Sequence, residues 1–209
     1  MLSRRGFTLS AVASGALAAS GALGRTARAT HIEPEMGDDG LHKQPWFLES
    51  FLELYEDLSE AAANNKHLAV MWEQKGCPYC RETHRVNLAR HEISDYIKAN
   101  FEVLQLNLWG SRKVTDFDGK VMEERDIARR WNVVFTPTIS FFPNDPNLVE
   151  GKTGGDAEIM RMPGYFKPYH FLSMFEYVRM AKYKELSFQK YIQIKFEELK
   201  KQGKKPTIW

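Results

Sequence analysis

The sequence predicts an α/β domain, and three observations carry that prediction. Short apolar runs that suit buried strands alternate with longer stretches whose apolar residues recur at helical spacing. The chain has two cysteines, Cys77 and Cys80, and both lie between one such strand and the helix that follows it. A proline, Pro137, stands inside a later strand-like run, where a missing ladder donor indicates an edge or a bend.

The first half of the domain begins with a helix that Pro45 opens and that should run over residues 46–64. The apolar run at residues 67–72 predicts a buried strand that leads directly into the cysteine pair. Two helices, at 81–90 and 93–99, and an alternating strand at 101–108 complete this half.

The second half begins with a turn-rich, charged segment at residues 109–120, which predicts a surface loop or small hairpin. The elements predicted after it are a helix at 122–131, a strand at 133–142, an edge strand at 158–162, and helices at 167–184 and 188–201. The Thr136–Pro137 bond is a candidate for the cis form, and the sequence leaves cis and trans equally open.

The first 29 residues have the features of a twin-arginine signal peptide. Ser3-Arg4-Arg5-Gly6-Phe7 precedes a mildly apolar run, and Ala27-Arg28-Ala29 supplies the small-x-small cleavage pattern. We therefore expect export to a bacterial periplasm, although an accidental Arg-Arg in a disordered tail is an alternative. The prediction divides the chain into a signal peptide at 1–29, a flexible lead-in at 30–44 and one domain at 45–209 that ends in a helical extension.

Composition narrows the functional classes. The 209-residue chain has a formal net charge of +2, so nothing favours nucleic-acid binding, and 43% hydrophobic residues suffice for a core. An oxidising compartment with only two cysteines, both in one C-x-x-C motif, favours catalysis over a disulfide scaffold.

The position of the C-x-x-C motif, Cys77-Pro78-Tyr79-Cys80, predicts a redox-active dithiol. The first turn of a helix has unpartnered N–H groups and a partial positive charge, which should lower the pKa of the Cys77 thiol below its free value of about 8.5. Cys77 would then be the nucleophile, and Cys80, one turn further on, would resolve the mixed disulfide. Pro78 suits the first helical position, where its missing N–H costs nothing.

Other interpretations of the motif are weaker. A zinc site formed by Cys77, Cys80 and His84 lacks a fourth ligand, so we predict no metal. Haem attachment would need a histidine where Arg81 stands. A structural disulfide would close a very short loop and stabilise little.

At this point the sequence resembles the thioredoxin-fold proteins, over residues 46–184. The resemblance depends on the strand that ends in Trp72, the Cys77-Pro78-Tyr79-Cys80 motif, Thr136-Pro137-Thr138, and Met162-Pro163-Gly164-Tyr165. It implies a central mixed sheet flanked by helices, with an N-terminal helix and a C-terminal helical extension. With the twin-arginine leader, the subgroup it is most similar to is the periplasmic thioredoxins of sulfur-oxidation systems, which are SoxW-like.

The resemblance also implies a site. Thr136 and Pro137 would line the groove that binds the substrate strand, Gly164 would border it, and Pro78 and Tyr79 would contact the substrate from the motif. No cofactor is implied beyond the Cys77–Cys80 disulfide itself.

Three departures from thioredoxins affect this interpretation. Met71 stands where thioredoxins have a buried aspartate that accepts the proton of the second cysteine. The acceptor for Cys80 would therefore be Glu73 or water. The simpler expectation for Glu73 is an exposed carboxylate at the end of the strand, with no catalytic role. Gly76 replaces the tryptophan before the first cysteine, and the Pro-Tyr dipeptide is that of glutaredoxins. The reduction potential should lie between about −270 and −120 mV.

The leading hypothesis is a periplasmic thiol-disulfide oxidoreductase that reduces disulfides or persulfides of partner proteins, with sulfur-oxidation carrier proteins among the candidates. The resemblance implies re-reduction by a membrane electron donor of the CcdA/DsbD type. One alternative is an oxidase or isomerase of exported proteins. The other is a non-enzymatic metal-binding or chaperone module that uses Cys77, Cys80 and His84.

Overall fold

The computed structural model describes residues 34–205. The predicted signal peptide at 1–29 and the first part of the predicted lead-in lie outside the described residues. Among the described residues, no helix combines the length and apolar character needed to span a bilayer.

An N-terminal hairpin opens the described chain, with strands β1 (Glu35–Met36) and β2 (His42–Lys43) paired antiparallel. Leu41 and Gln44 at its end are buried against the domain. The prediction of a flexible lead-in at residues 30–44 is therefore corrected for residues 34–44, because the hairpin has side chains that pack on the main domain.

The first helix, α1 (Leu54–Ala63), is shorter than the helix predicted from residue 46. The segment before it takes its backbone partners from elsewhere: the Leu48 amide donates to the carbonyl of Val103 at 2.8 Å, and the Thr115 amide donates to that of Leu52. These bonds hold the segment extended along the central sheet, which explains why its helical spacing does not produce a helix.

The next part of the chain carries the strand before the cysteine motif and the motif helix. Strand β3 (His67–Glu73) is buried along its whole length, as the continuous apolar run predicts. Helix α2 (Pro78–Glu82) continues into a π-helical turn, Thr83–Leu88, and helix α3 (His91–Asn100) follows. The predicted helix at 81–90 is thus a short α-helix joined to a wider π turn.

The remaining elements complete the sheet and its covering helices. They are strands β4 (Phe101–Asn107), β5 (Lys113–Thr115) and β6 (Val121–Glu123), helix α4 (Glu124–Arg130), strand β7 (Thr138–Phe141), helix α5 (Gly154–Ala157), strand β8 (Met160–Pro163), and helices α6 (Pro168–Arg179) and α7 (Phe188–Lys201). Strands β5 and β6 form a small hairpin, one of the two predicted alternatives for the segment at 109–120, but its second strand lies beyond that segment. That strand includes Met122, so the helix predicted at 122–131 begins at Glu124.

The central sheet is mixed and has the order β4-β3-β7-β8. Strand β3 pairs parallel with β4 and antiparallel with β7, and β7 pairs antiparallel with the edge strand β8. Because Pro137 precedes β7 directly, the strand predicted at 133–142 is confined to Thr138–Phe141.

Two apolar clusters cover the two faces of the sheet, and alternate residues of β3 contribute to each. Val70 and Trp72 pack with residues of α1 and α4, whereas Ala69 and Met71 pack with residues of α3 and α6. The fold is therefore a helix–sheet–helix sandwich, and β3 runs through its centre towards the cysteine motif.

The C-terminal helix α7 has the bounds that the sequence predicts and packs on α6. The rings of Phe188 and Tyr191 contact Tyr177, and Lys195 forms an ion pair with Glu176. The helical extension is thus attached to the sandwich on the α6 side.

Candidate redox site

The two cysteines are joined in a disulfide at the start of α2. Cys77 is the N-cap residue, and its Sγ accepts a hydrogen bond from the Cys80 amide at 3.0 Å. Pro78 occupies the first helical position. Only 6% of Cys77 and 2% of Cys80 are exposed, so a partner can reach the disulfide only from the Cys77 side.

The loop before β7 lies against the Cys77 sulfur. The Thr136–Pro137 peptide bond is cis, which is one of the two forms that the sequence left open. The Thr136 hydroxyl donates to Cys77 Sγ at 3.3 Å, and the Thr136 carbonyl oxygen lies 3.6 Å from the same sulfur. A hydroxyl donor in this place would stabilise negative charge on Cys77 after reduction.

Gly164 and two tyrosines border the same side. The Gly164 amide donates to the Pro137 carbonyl at 2.7 Å, and Gly164 adopts a positive φ of 82°, which favours glycine. Next to it, the Tyr165 ring stacks on that of Tyr79 with the centroids 6.3 Å apart. Gly164 and Tyr79, both predicted substrate contacts, therefore lie beside the cis-proline loop, and Tyr165 joins them.

Glu73 is completely buried, so the expectation of a surface carboxylate is wrong. His84 is also buried, and its Nε2 lies 3.1 Å from both carboxylate oxygens of Glu73. Glu73 lies four residues before Cys77, and His84 lies four residues after Cys80, in the π turn. The structure thus places a buried acid–imidazole pair between the end of β3, which leads into the motif, and the π turn that follows the motif helix.

Two glutamines complete this buried network. The Gln105 amide donates to Glu73 and, at 2.6 Å, to the His42 carbonyl. The Gln44 amide nitrogen lies 3.2 Å from His84 Nδ1. An ionised carboxylate can only accept hydrogen bonds, so Nε2 is the donor in the contact between His84 and Glu73. Sequence analysis missed both glutamines, since nothing in their local pattern marks a residue as a long-range partner.

Three exposed aromatic side chains lie in the motif or in segments that contact it or lead into it. Tyr79 is 61% exposed, Phe135 is 50% exposed, and Trp109 is 64% exposed. The Trp109 indole donates to the Gln74 side chain at 2.7 Å, which fixes its ring next to the strand that leads into the motif. Exposed aromatic side chains held in place are typical of protein-binding surfaces.

The structure does not support a metal site at Cys77, Cys80 and His84. Both sulfurs are in the disulfide, and both ring nitrogens of His84 face partners, namely Glu73 and Gln44. Within residues 34–205, no cluster of three or more His, Cys, Asp or Glu side chains is placed to hold a metal ion. In this disulfide form the three side chains have these partners, and the interpretation of the motif as a metal-binding module with His84 as a ligand stays an untested alternative.

The mixed sheet, the motif disulfide at a helix start and the cis-proline beside it define a thioredoxin-fold protein of the dithiol–disulfide class. A family model described as a thioredoxin-like domain matches residues 54–179, and the chain belongs to this family.

Comparison with solved structures finds similar folds. A thioredoxin-fold protein from Helicobacter pylori is 25% identical with a TM-score of 0.48, and the match covers 68% of this chain and 93% of that one. A thioredoxin from Thermus thermophilus is 25% identical with a TM-score of 0.45, over 60% of this chain and 83% of that one. No curated protein sequence matches the chain significantly. The fold and the disulfide at C-x-x-C spacing are consistent with thiol-disulfide oxidoreductase activity.

Proposed function

We propose that the protein is a periplasmic thiol-disulfide oxidoreductase that reduces disulfides or persulfides of partner proteins. The observation that carries the proposal is the environment of Cys77 Sγ. It accepts the Cys80 amide hydrogen bond, faces the Thr136 hydroxyl and belongs to the more exposed residue of the pair. These are the features of a nucleophilic thiolate in the reduced protein.

The reaction would proceed in two exchanges. The Cys77 thiolate attacks one sulfur of the partner disulfide, a Cys77–partner bond forms, and the other partner sulfur leaves as a thiolate. Cys80 then loses its proton and attacks Cys77, so the first partner sulfur is released and the Cys77–Cys80 disulfide forms. One disulfide of the partner is reduced, and one dithiol of the protein is oxidised.

We propose Glu73 as the acceptor of the Cys80 proton, with His84 as its positioning partner. Glu73 is buried behind the motif and receives donors from His84 and Gln105, so its carboxylate is held in one place. This arrangement would substitute for the aspartate that Met71 replaces.

The cellular setting is also a proposal. The twin-arginine leader supports export to the periplasm, where the oxidised protein would be re-reduced by a membrane donor of the CcdA/DsbD type. Carrier proteins of sulfur oxidation are candidate partners. Replacing Arg4 and Arg5 by lysine should leave the precursor in the cytoplasm, as cell fractionation would show.

The central experiment measures insulin-disulfide reduction by the wild-type protein, Cys77→Ser and Cys80→Ser. We expect Cys77→Ser to be inactive, and Cys80→Ser to trap a mixed disulfide on Cys77. Full reducing activity in Cys77→Ser would refute the assignment.

The alternative function, disulfide oxidation or isomerisation, uses the same Cys77 sulfur and differs in the reduction potential of the disulfide. Equilibrium titration against glutathione distinguishes the two directions. A value near about −270 mV supports the reductase, whereas a value near about −120 mV supports the oxidase.

A further inference from the structure

A cavity of about 250 Å³ lies on the side of Cys77 that faces the N-terminal hairpin. The hairpin supplies Met36, Gly40 and His42, and the motif region supplies Gly76, Cys77, Pro78 and Arg81. Thr136, Pro137 and Gly164 do not line it. The cavity is thus a second route by which a ligand can reach Cys77. One of its walls is the N-terminal hairpin, which lies outside residues 54–179, the range that the family model matches.

The hairpin that forms one wall is firmly attached. Leu41 is 1% exposed, the Gln105 side chain donates to the His42 carbonyl at 2.6 Å, and Gln44 contacts His84. Gly40 has a positive φ of 75°, and a Cβ there would lie 2.9 Å from the Lys75 side chain, so the turn packs directly over Lys75. The cavity wall therefore has a defined position relative to Cys77.

The charged side chain that lines this cavity is a cation, although the Glu73 carboxylate is close enough for its charge to act on His42. None of its lining residues is acidic, and Arg81 is exposed on its wall. Within the described part of the chain, the Arg81 guanidinium has no side-chain hydrogen bond or ion pair. Lys75 adjoins the cavity through Gly40, and Arg85 is close enough that its charge, with that of Arg81, acts on His42. An unpaired guanidinium is a good partner for a carboxylate.

The cavity volume indicates the size of a ligand. Pockets for drug-sized molecules usually occupy about 300–1,000 Å³, so this cavity suits a smaller molecule. A folded protein segment would reach the motif over the exposed aromatic surface instead.

We propose that this cavity, defined by Met36, Gly40, His42, Cys77 and Arg81, is a binding site for anionic low-molecular-mass disulfides. Arg81 binds the carboxylate of the ligand, and a ligand sulfur lies against Cys77. The inference rests on the proposed function for the chemistry of Cys77 and adds a second substrate class to protein disulfides.

The reaction at this site balances without a further reactant. The Cys77 thiolate attacks the ligand disulfide and releases one anionic thiol. Attack by the Cys80 thiolate on Cys77 releases the second thiol and forms the protein disulfide. Each turnover converts one small disulfide into two thiols and oxidises one protein dithiol.

The test uses three aliphatic disulfides that each carry the end group two methylenes from sulfur. Dithiodipropionate is anionic, bis(hydroxyethyl) disulfide is neutral, and cystamine is cationic. The full mature protein is reduced, freed of reductant and mixed with each compound, and its oxidation rate is measured by acid quench and mass spectrometry. The readout is the rate ratio of wild type to Arg81→Gln for each compound, because leaving-group differences cancel within one compound.

We expect a ratio of about three to ten for dithiodipropionate, about one for the neutral disulfide, and below one for cystamine. The dithiodipropionate ratio should fall as salt is added. Arg81→Lys should retain most of the wild-type rate. Lys98→Gln, which removes a surface cation of α3 paired with Asp95, is the matched control and should change none of the rates.

Equal ratios for all three compounds would overturn the inference, because a change in Cys77 reactivity alone affects them equally. The inference would also be overturned if Lys98→Gln abolished the preference for dithiodipropionate in the same way as Arg81→Gln. If insulin reduction persists in either case, the proposed function stands. If the wild-type dithiol reduces neither insulin nor any of the small disulfides, the proposed function itself fails.

Discussion

The imidazole of His84 faces the carboxylate of Glu73 across 3.1 Å to both oxygens, and neither side chain is exposed to solvent. A buried carboxylate needs hydrogen-bond donors, and Glu73 obtains them from His84 and Gln105. The same donors fix the position of the carboxylate behind the motif. A proton acceptor that is held in place in this way needs little reorganisation when Cys80 is deprotonated.

The role of Glu73 leads to the first prediction. Glu73→Gln removes the proposed acceptor, so the resolving step should slow by about 10- to 100-fold near neutral pH, because Cys80 must then lose its proton to water. The mixed disulfide on Cys77 should then accumulate in single-turnover experiments with quench and mass analysis. Raising the pH should restore the rate, since Cys80 then ionises without help.

Glu102→Gln is the control for this prediction, because Glu102 is a carboxylate of β4 that pairs with Lys66 at 2.7 Å. It should resolve the mixed disulfide at the wild-type rate. An unchanged resolving rate in Glu73→Gln would assign the proton transfer to water.

Thr136 supports a second prediction about the nucleophile. Thr136→Val removes the hydroxyl that lies 3.3 Å from Cys77 Sγ, so the pKa of Cys77 should rise. One hydrogen bond contributes about 1 kcal/mol, which corresponds to a shift of about 0.7 pKa units. The pH dependence of iodoacetamide alkylation of the reduced protein measures the shift. Thr136→Ser keeps the hydroxyl and should keep the wild-type pKa; an equal shift in both variants would contradict the role of the hydroxyl.

Much of the fold follows from local sequence patterns. The buried strand before the motif, the C-terminal helix and the motif helix could all be predicted, because continuous or periodic apolar residues report burial directly. The segment at 46–53 could not, because its helical spacing competes with hydrogen bonds to β4 that no local pattern reveals. The hairpin at 34–44 was missed for a similar reason: its polar residues, such as Gln44, are buried through distant partners.

The candidate site also contains residues that the sequence reveals and residues whose partners only the tertiary structure fixes. Cys77, Cys80, Thr136 and Pro137 could be selected because motif and family resemblance mark them. The partnership of Glu73 with His84 could not, although the position of His84 one turn after Cys80 was visible. A histidine at that spacing faces the same direction as the cysteine, but its partner is fixed only by the tertiary structure.

Trp109 supports a third prediction, on the recognition of protein substrates. Its ring is 64% exposed yet fixed by the 2.7 Å hydrogen bond to Gln74. Trp109→Ala should raise the KM for insulin by about 5- to 30-fold, because a buried interface tryptophan contributes about 1 to 2 kcal/mol. It should leave bis(hydroxyethyl) disulfide reduction unchanged. Phe51→Ala removes a 98% exposed ring in the segment before α1 and is the control. A KM effect of the same size in both variants would exclude a specific contact at Trp109.

Asp57 in the first turn of α1 is nearly buried, and both of its carboxylate oxygens lie within 2.7 Å of the Ser50 hydroxyl. Burial raises the pKa of Asp57 from 3.8 to about 6, although the Ser50 hydrogen bond opposes the shift. The folded state therefore binds more protons than the unfolded chain between these values, and this carboxylate lowers the free energy of unfolding as the pH rises from about 4 to about 6.

Asp57→Asn removes this decrease in the free energy of unfolding, because the asparagine side chain does not ionise. Its amide oxygen can still accept a hydrogen bond from Ser50. The free energy of unfolding of the variant should match that of the wild type near pH 3 and should exceed it at about pH 8 by on the order of 3 kcal/mol, because each unit of pKa shift corresponds to about 1.4 kcal/mol. Urea unfolding across this pH range measures the difference. Glu197→Gln, which removes an exposed carboxylate of the distant helix α7, is the control and should follow the wild-type curve. If the free energies of unfolding of Asp57→Asn and the wild type change with pH in parallel, ionisation of the buried carboxylate does not destabilise the protein.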